Sequence, residues 1–95
     1  MLQPEWYYDI ARGAFVAFAD GESGCSRYDF DENGVATKKS PIRKSGSFAE
    51  AYRAELKGMS RIGTLSIHLN ISDALKRGRL SDVVITELRR NRRTI

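Results

Sequence analysis

A single cysteine, Cys25, in a chain of 95 residues removes both staples that small domains use. One thiol allows no internal disulfide and no multi-cysteine zinc site. A hydrophobic core must then do the holding, and a chain this short has apolar surface for only one. The composition is that of an ordered chain, 41% hydrophobic and 29% charged. The expectation is one domain over residues 1–95. No apolar run approaches the roughly 18 residues of a membrane span, and no signal-peptide pattern opens the chain. The expected location is cytoplasmic, without a membrane partner.

The first forty residues read as antiparallel strands. Trp6 to Ile10 is aromatic, and Ala14 to Ala19 is apolar on both faces, as a buried strand would be. Ser26 to Phe30 alternates, placing Tyr28 and Phe30 on one side. Asn33-Gly34 predicts a type I′ hairpin with both residues at positive φ, and Val35 to Lys39 returns as the partner strand. Ser47-Phe48-Ala49-Glu50 is a capping box. Phe48, Tyr52 and Leu56 follow on one helical stripe, which ends at Gly58.

Residues 59–63 read as a link. Thr64 to Ile71 alternates without a fault, with Leu65, Ile67, Leu69 and Ile71 inward and Thr64, Ser66, His68 and Asn70 outward. It predicts a fifth strand over 64–71. Ser72 and Asp73 cap a short helix, Ala74 to Arg77, closed by Gly78. Leu80, Val84 and Leu88 with Ser81 as N-cap favour a final helix, against the strand propensity of Val83-Val84-Ile85-Thr86. The fold class is α+β: an N-terminal antiparallel sheet of about four strands, plus a fifth at 64–71, packed against one or two helices. Core positions include Trp6, Phe15, Phe18, Tyr28, Phe30, Leu65, Leu75, Val84 and Leu88. The unprotected sheet edges suggest a homodimer paired through an edge strand.

The net charge of +4 hides a split. Residues 1–35 carry two arginines against seven acids, and residues 36–95 carry fourteen Lys/Arg against five. Eleven of the sixteen basic residues are arginine, the side chain suited to bidentate contact with phosphate or carboxylate. Arg89, Arg90, Arg92 and Arg93 form the densest cluster, expected as a mobile basic tail over 89–95. Arg77 and Arg79 lie just before it. Arg43 and Lys44 precede the Ser47 helix start, where free N–H groups and cations favour an anion.

No catalytic constellation emerges, so the chain reads as a non-enzyme without cofactor or metal. Asp29 to Gly34 matches the first six positions of a calcium loop, but the twelfth is Ser40 where a bidentate glutamate is needed. The segment reads as an acidic hairpin turn. Cys25 and His68 are far apart in the chain, and nothing local activates either.

The alternating strand over 64–71 followed by two helices resembles the ribbon-helix-helix family of DNA-binding proteins. That resemblance implies two chains pairing their strands, with Ser66, His68 and Asn70 reading bases in the major groove and Ser81 at a phosphate-contacting helix start. It covers about a third of the chain and departs from the family in its short first helix and its large N-terminal sheet. The order of three strands and a capped helix in residues 14–57 is similar to the three-stranded DNA-binding domains of phage integrases.

Two functions follow as expectations. The first is nucleic-acid binding through Arg/Lys contacts to phosphates. The second is a phage or mobile-element protein, an anti-CRISPR or similar counter-defence factor, that inhibits a host nucleic-acid-binding protein. In that case Asp20, Glu22, Asp29, Asp31 and Glu32 would imitate a phosphate backbone, or the arginines would grip an acidic patch.

Overall fold

The computed structural model describes residues 4–21, 24–41, 56–66, 69 and 71–92. The aromatic and apolar runs of the N-terminal part pair as strands β1 (Glu5–Asp9), β2 (Ala14–Gly21), β3 (Gly24–Phe30) and β4 (Ala36–Pro41), and β5 (Met59–Gly63) completes the sheet. The strand order is β4-β3-β2-β1-β5 and every pairing is antiparallel. Two helices follow, α1 (Ile71–Arg77) and α2 (Asp82–Arg92). The fold is α+β, a five-stranded antiparallel sheet packed against two C-terminal helices. No described helix is long and apolar enough to cross a membrane.

β2 is the central strand, which is why it is apolar on both faces. Phe15 and Ala17 face the helices with Trp6, Tyr28 and Phe30, and meet Leu80, Val84, Ile85 and Leu88 in the larger core. Trp6 and Phe30 lie with ring centroids 5.6 Å apart. Val16, Phe18 and Tyr7 form a second cluster on the other face, with Leu56 and Met59 against it. Full burial of each large apolar side chain contributes about 1.5–3 kcal/mol. The sequence placed Trp6, Phe15, Phe18, Tyr28, Phe30, Leu65, Val84 and Leu88 inside, and all are buried. Ile71 and Leu80, on its apolar faces, and Val16, in its two-faced apolar strand, are buried too, and so is Ile85, which it read only as β-branched.

The fifth strand is not at 64–71. Thr64, Leu65, Ser66 and Leu69 lie outside any strand and Ile71 opens α1, while Ile67, His68 and Asn70 are outside the described residues. The strand is the predicted link, Met59–Gly63, which lines up on the free edge of β1. Two features end the ladder there. The register shifts at Trp6/Tyr7, where Gly63 takes a positive φ of 100°. Trp6 pairs with Gly63, and two residues before it stands Pro4, which has no N–H to donate. Leu65 and Ile71 still bury their side chains, so the alternation reports burial along an irregular connection rather than a strand.

The hairpin between β3 and β4 is also built differently from the expected type I′ turn. Asn33 does not have a positive φ; Gly34 does, at 83°. The Gly34 N–H donates to the Asp31 carbonyl and the Asp31 N–H to the Val35 carbonyl, both at 2.9 Å. This is a three-residue loop closed by a type I turn and a left-handed glycine. Asp31 selects it, because its Oδ1 accepts the N–H groups of Asn33 and Val35, each at 2.9 Å.

That hairpin is stitched to the turn between the helices. The Leu80 N–H donates to the Gly34 carbonyl at 2.8 Å, and the Ala36 N–H to the Gly78 carbonyl at 2.9 Å. Val35 and Arg79 form an isolated antiparallel bridge. Gly34 is needed twice over, since a Cβ there would lie 2.5 Å from Ile85 Cδ1. α2 starts as its sequence predicts, with the Ser81 hydroxyl accepting the Val84 N–H at 3.5 Å and Val84, Ile85 and Leu88 buried. The Ser47 helix, with Phe48 and Tyr52, falls outside the described residues; Leu56–Gly58 is a turn in which Gly58 has a φ of 78°.

Candidate nucleic-acid interface

The C-terminal arginines are the densest charge in the sequence, and the fold divides them. α2 carries the run as far as Arg92. Arg89 donates from Nη2 to the Glu32 carbonyl at 2.9 Å. Arg92 donates from Nη1 to Glu32 Oε1 at 3.2 Å and stacks over the Tyr8 ring at 4.7 Å from its centroid. The Tyr8 hydroxyl donates to the same Oε1 at 2.9 Å. Helix end, hairpin tip and first strand are thus clasped together. The Tyr8 hydrogen bond, and then that of Arg92, holds the Glu32 carboxyl below the usual carboxylate range. Burial, and then Glu32, pushes the Tyr8 phenol up.

A second ionic cluster lies on the opposite face of the sheet. Arg27 grips Asp29 through both Nε and Nη2, at 2.8 and 2.9 Å, and its Nη2 stands 3.6 Å from Asp9 Oδ2. Asp29 is 3% exposed, and Arg12 closes the outer side at 3.9 Å. Removing one partner of a buried pair like this costs about 3–5 kcal/mol. Arg27 and Asp29 stand two apart on β3 and so share a face, a spacing the sequence does show, whereas Asp9 joins them from β1, which the sequence does not.

Of the acids singled out in the sequence, the three whose side chains are described are occupied within the chain. Asp29 sits in the Arg27 cluster, Asp31 holds the hairpin turn and Glu32 the clasp. Glu22 and the side chain of Asp20 lie outside the described residues. Ser66 is not an outward reader on a ribbon. Its N–H and hydroxyl both donate to Glu87 Oε1, at 2.9 and 2.7 Å, tying the connection before α1 to α2. His68, Asn70, Arg43, Lys44, Ser47 and Arg93 also lie outside the described residues. The β5 correction removes the strand on which the ribbon-helix-helix resemblance rested.

What remains is a surface on the helical pair. Lys76 and Arg77 close α1 and are exposed, and Arg79 follows in the turn, paired to Asp82 at 3.0 Å. Asp82 is 92% exposed, so that pair holds little. On α2, Val83, Thr86 and Arg90 lie opposite the buried Val84–Ile85–Leu88 stripe, and all three are exposed. They border an open hollow of about 460 Å³ with Ser66, Asp82 and Glu87. Sequence reasoning passed over Lys76, Val83 and Thr86. The same 3.6-residue period that identified the buried stripe marks its complement.

Comparison with family models, curated proteins and solved structures finds no match. Chemistry must therefore be read from the surface alone. Among the described residues no group of three His, Cys, Asp or Glu is placed to hold a metal ion.

Proposed function

We propose that the protein binds nucleic acid through its helical pair, with Lys76, Arg77, Arg79 and Arg90 meeting phosphates and no bond-making chemistry of its own. One observation carries this reading. Among the described residues, Arg77 and Arg90 are exposed and make no ion pair, although Asp73 and Asp82 lie on the same two helices. A guanidinium left without a carboxylate is available for a phosphate. Arg43, Lys44 and Arg93 would extend the footprint.

The test is fluorescence polarisation of the protein against labelled duplex DNA, single-stranded DNA and RNA of mixed sequence. Binding through three or four phosphates should weaken with salt at a log–log slope of about −3. Arg77→Ala and Arg90→Ala should each reduce that slope by about 1. No polarisation change at low salt with any of the three probes would overturn the proposal.

A second reading has one observation in its favour. Val83 is 62% exposed on the rim of a largely apolar hollow, which also suits a protein partner. On that reading the chain occupies a host protein's surface, as a mobile-element inhibitor would. Capture of a single partner from nuclease-treated host lysate, lost in the Val83→Asp variant, supports it over the first.

A further inference from the structure

We infer that the nucleic acid is B-form duplex DNA, and that α2 seats in its major groove with the methyl groups of Val83 and Thr86 against thymine methyls. This deepens the nucleic-acid reading and rests on it. The outward stripe of α2 carries Val83 and Thr86 at its centre, with Arg90 beyond them. Thr86 donates its hydroxyl to the Asp82 carbonyl at 2.8 Å. With that hydroxyl turned back on the helix, the side chain has its methyl left to offer. Val83 has only methyls to offer, and it is 62% exposed.

Asp82 and Glu87 border the same hollow, but Asp82 is paired to Arg79 and Glu87 accepts from Ser66. That leaves two methyl-bearing side chains and Arg90, which makes no ion pair among the described residues, to match one feature of the DNA major groove. The thymine C5-methyl is the apolar group on that edge, and Thr and other small apolar side chains meet it. Size agrees. A helix with side chains is about 10–12 Å across, and the B-form major groove is about 12 Å wide. The A-form major groove of duplex RNA is too narrow to be read this way. Arg77 lies beside Ser81 and Asp82 at the start of α2, and Arg90 lies on the outer stripe itself. Lys76 and Arg77 stand before the N-terminus of α2 and Arg90 near its other end, about 10–12 Å along the axis from Val83 at 1.5 Å per residue.

The experiment compares one duplex with and without thymine methyls. Sites are first selected from random-sequence duplexes with the full chain, and the selected duplex is then remade with deoxyuridine for each thymine in turn. The wild type should lose about three- to fivefold in affinity at one or two thymines, the value of one buried methyl. Val83→Ala and Thr86→Ser should each be insensitive to one of those replacements while keeping the salt slope. Both variants leave the buried stripe and the Thr86→Asp82 hydrogen bond in place, so folding is preserved. Selection of a duplex whose binding ignores every uracil replacement would overturn this inference and leave phosphate binding standing. Equal affinity for duplex RNA would do the same. Failure to bind any nucleic acid would overturn the parent reading as well.

Discussion

The two sides of α2 use the same residue types for opposite ends. On one flank, Arg89 and Arg92 are spent on Glu32 and Tyr8, fastening the helix to the sheet. On the outer stripe Arg90, the neighbour of Arg89, is exposed and makes no ion pair among the described residues. A run of arginines in a sequence is thus not one feature. Helical geometry sends consecutive positions about 100° apart, so one reaches an internal carboxylate and the next reaches solvent. Counting charge per segment cannot separate them, and the difference decides which substitutions should unfold the protein and which should only weaken binding.

The sharpest way to break that contrast is to make the same truncation on each side. Leu88→Ala should lower the unfolding free energy by about 2–5 kcal/mol in a urea melt, because it empties a fully enclosed site. Val83→Ala should stay within about 0.5 kcal/mol of the wild type. A Val83→Ala variant as unstable as Leu88→Ala would mean the outer stripe is buried in the protein in solution. The two turn glycines make a matching pair. Gly34→Ala should cost about 2–4 kcal/mol, combining left-handed strain with the push on Ile85. Gly78→Ala, with a φ of 77° and nothing within 4 Å of its Cβ, should cost only the strain, about 1–2 kcal/mol.

Smaller effects separate the arginines. Arg92→Ala should cost about 0.5–1 kcal/mol from its lost stacking on Tyr8, and leave the salt slope of nucleic-acid binding unchanged. Arg90→Ala should do the reverse, altering the slope and not the melt. The smallest contrast is one of pH. Because the folded Glu32 pKa lies below its unfolded value, the contribution of the clasp is complete above the usual carboxylate range. It is lost as pH falls through the lowered folded value. The difference in Tm between wild type and Glu32→Gln should therefore be present at pH 7 and vanish in acid.

Much of the fold was legible because local pattern and tertiary demand agree there. The aromatic runs of β1 to β3 and the Ser81-capped stripe of α2 bury the residues their spacing names. β5 was not legible, since Met59–Gly63 has little pattern of its own and becomes a strand because β1 has an edge to fill. The flawless alternation of 64–71 misled for the converse reason: Leu65 and Ile71 go inside without a ladder to hold them. The surface was less legible than the core. Ser66 looked like a reader and is taken by Glu87, while Glu32 looked like a free acid and is shared by Tyr8 and Arg92. Each of these partnerships joins residues more than twenty positions apart, beyond what spacing along the chain reveals.

The seam between the β3–β4 hairpin and the interhelical turn is made of main-chain groups: the Leu80 amide on the Gly34 carbonyl and the Ala36 amide on the Gly78 carbonyl. Such a mount is indifferent to most of the letters written along it. Gly34 and Gly78, both at positive φ, are the positions it holds to glycine. Substitutions on the outer stripe of the last helix, away from Arg89 and Arg92, can therefore accumulate while its seat over the sheet stays put, so the frame and that stripe are free to change independently.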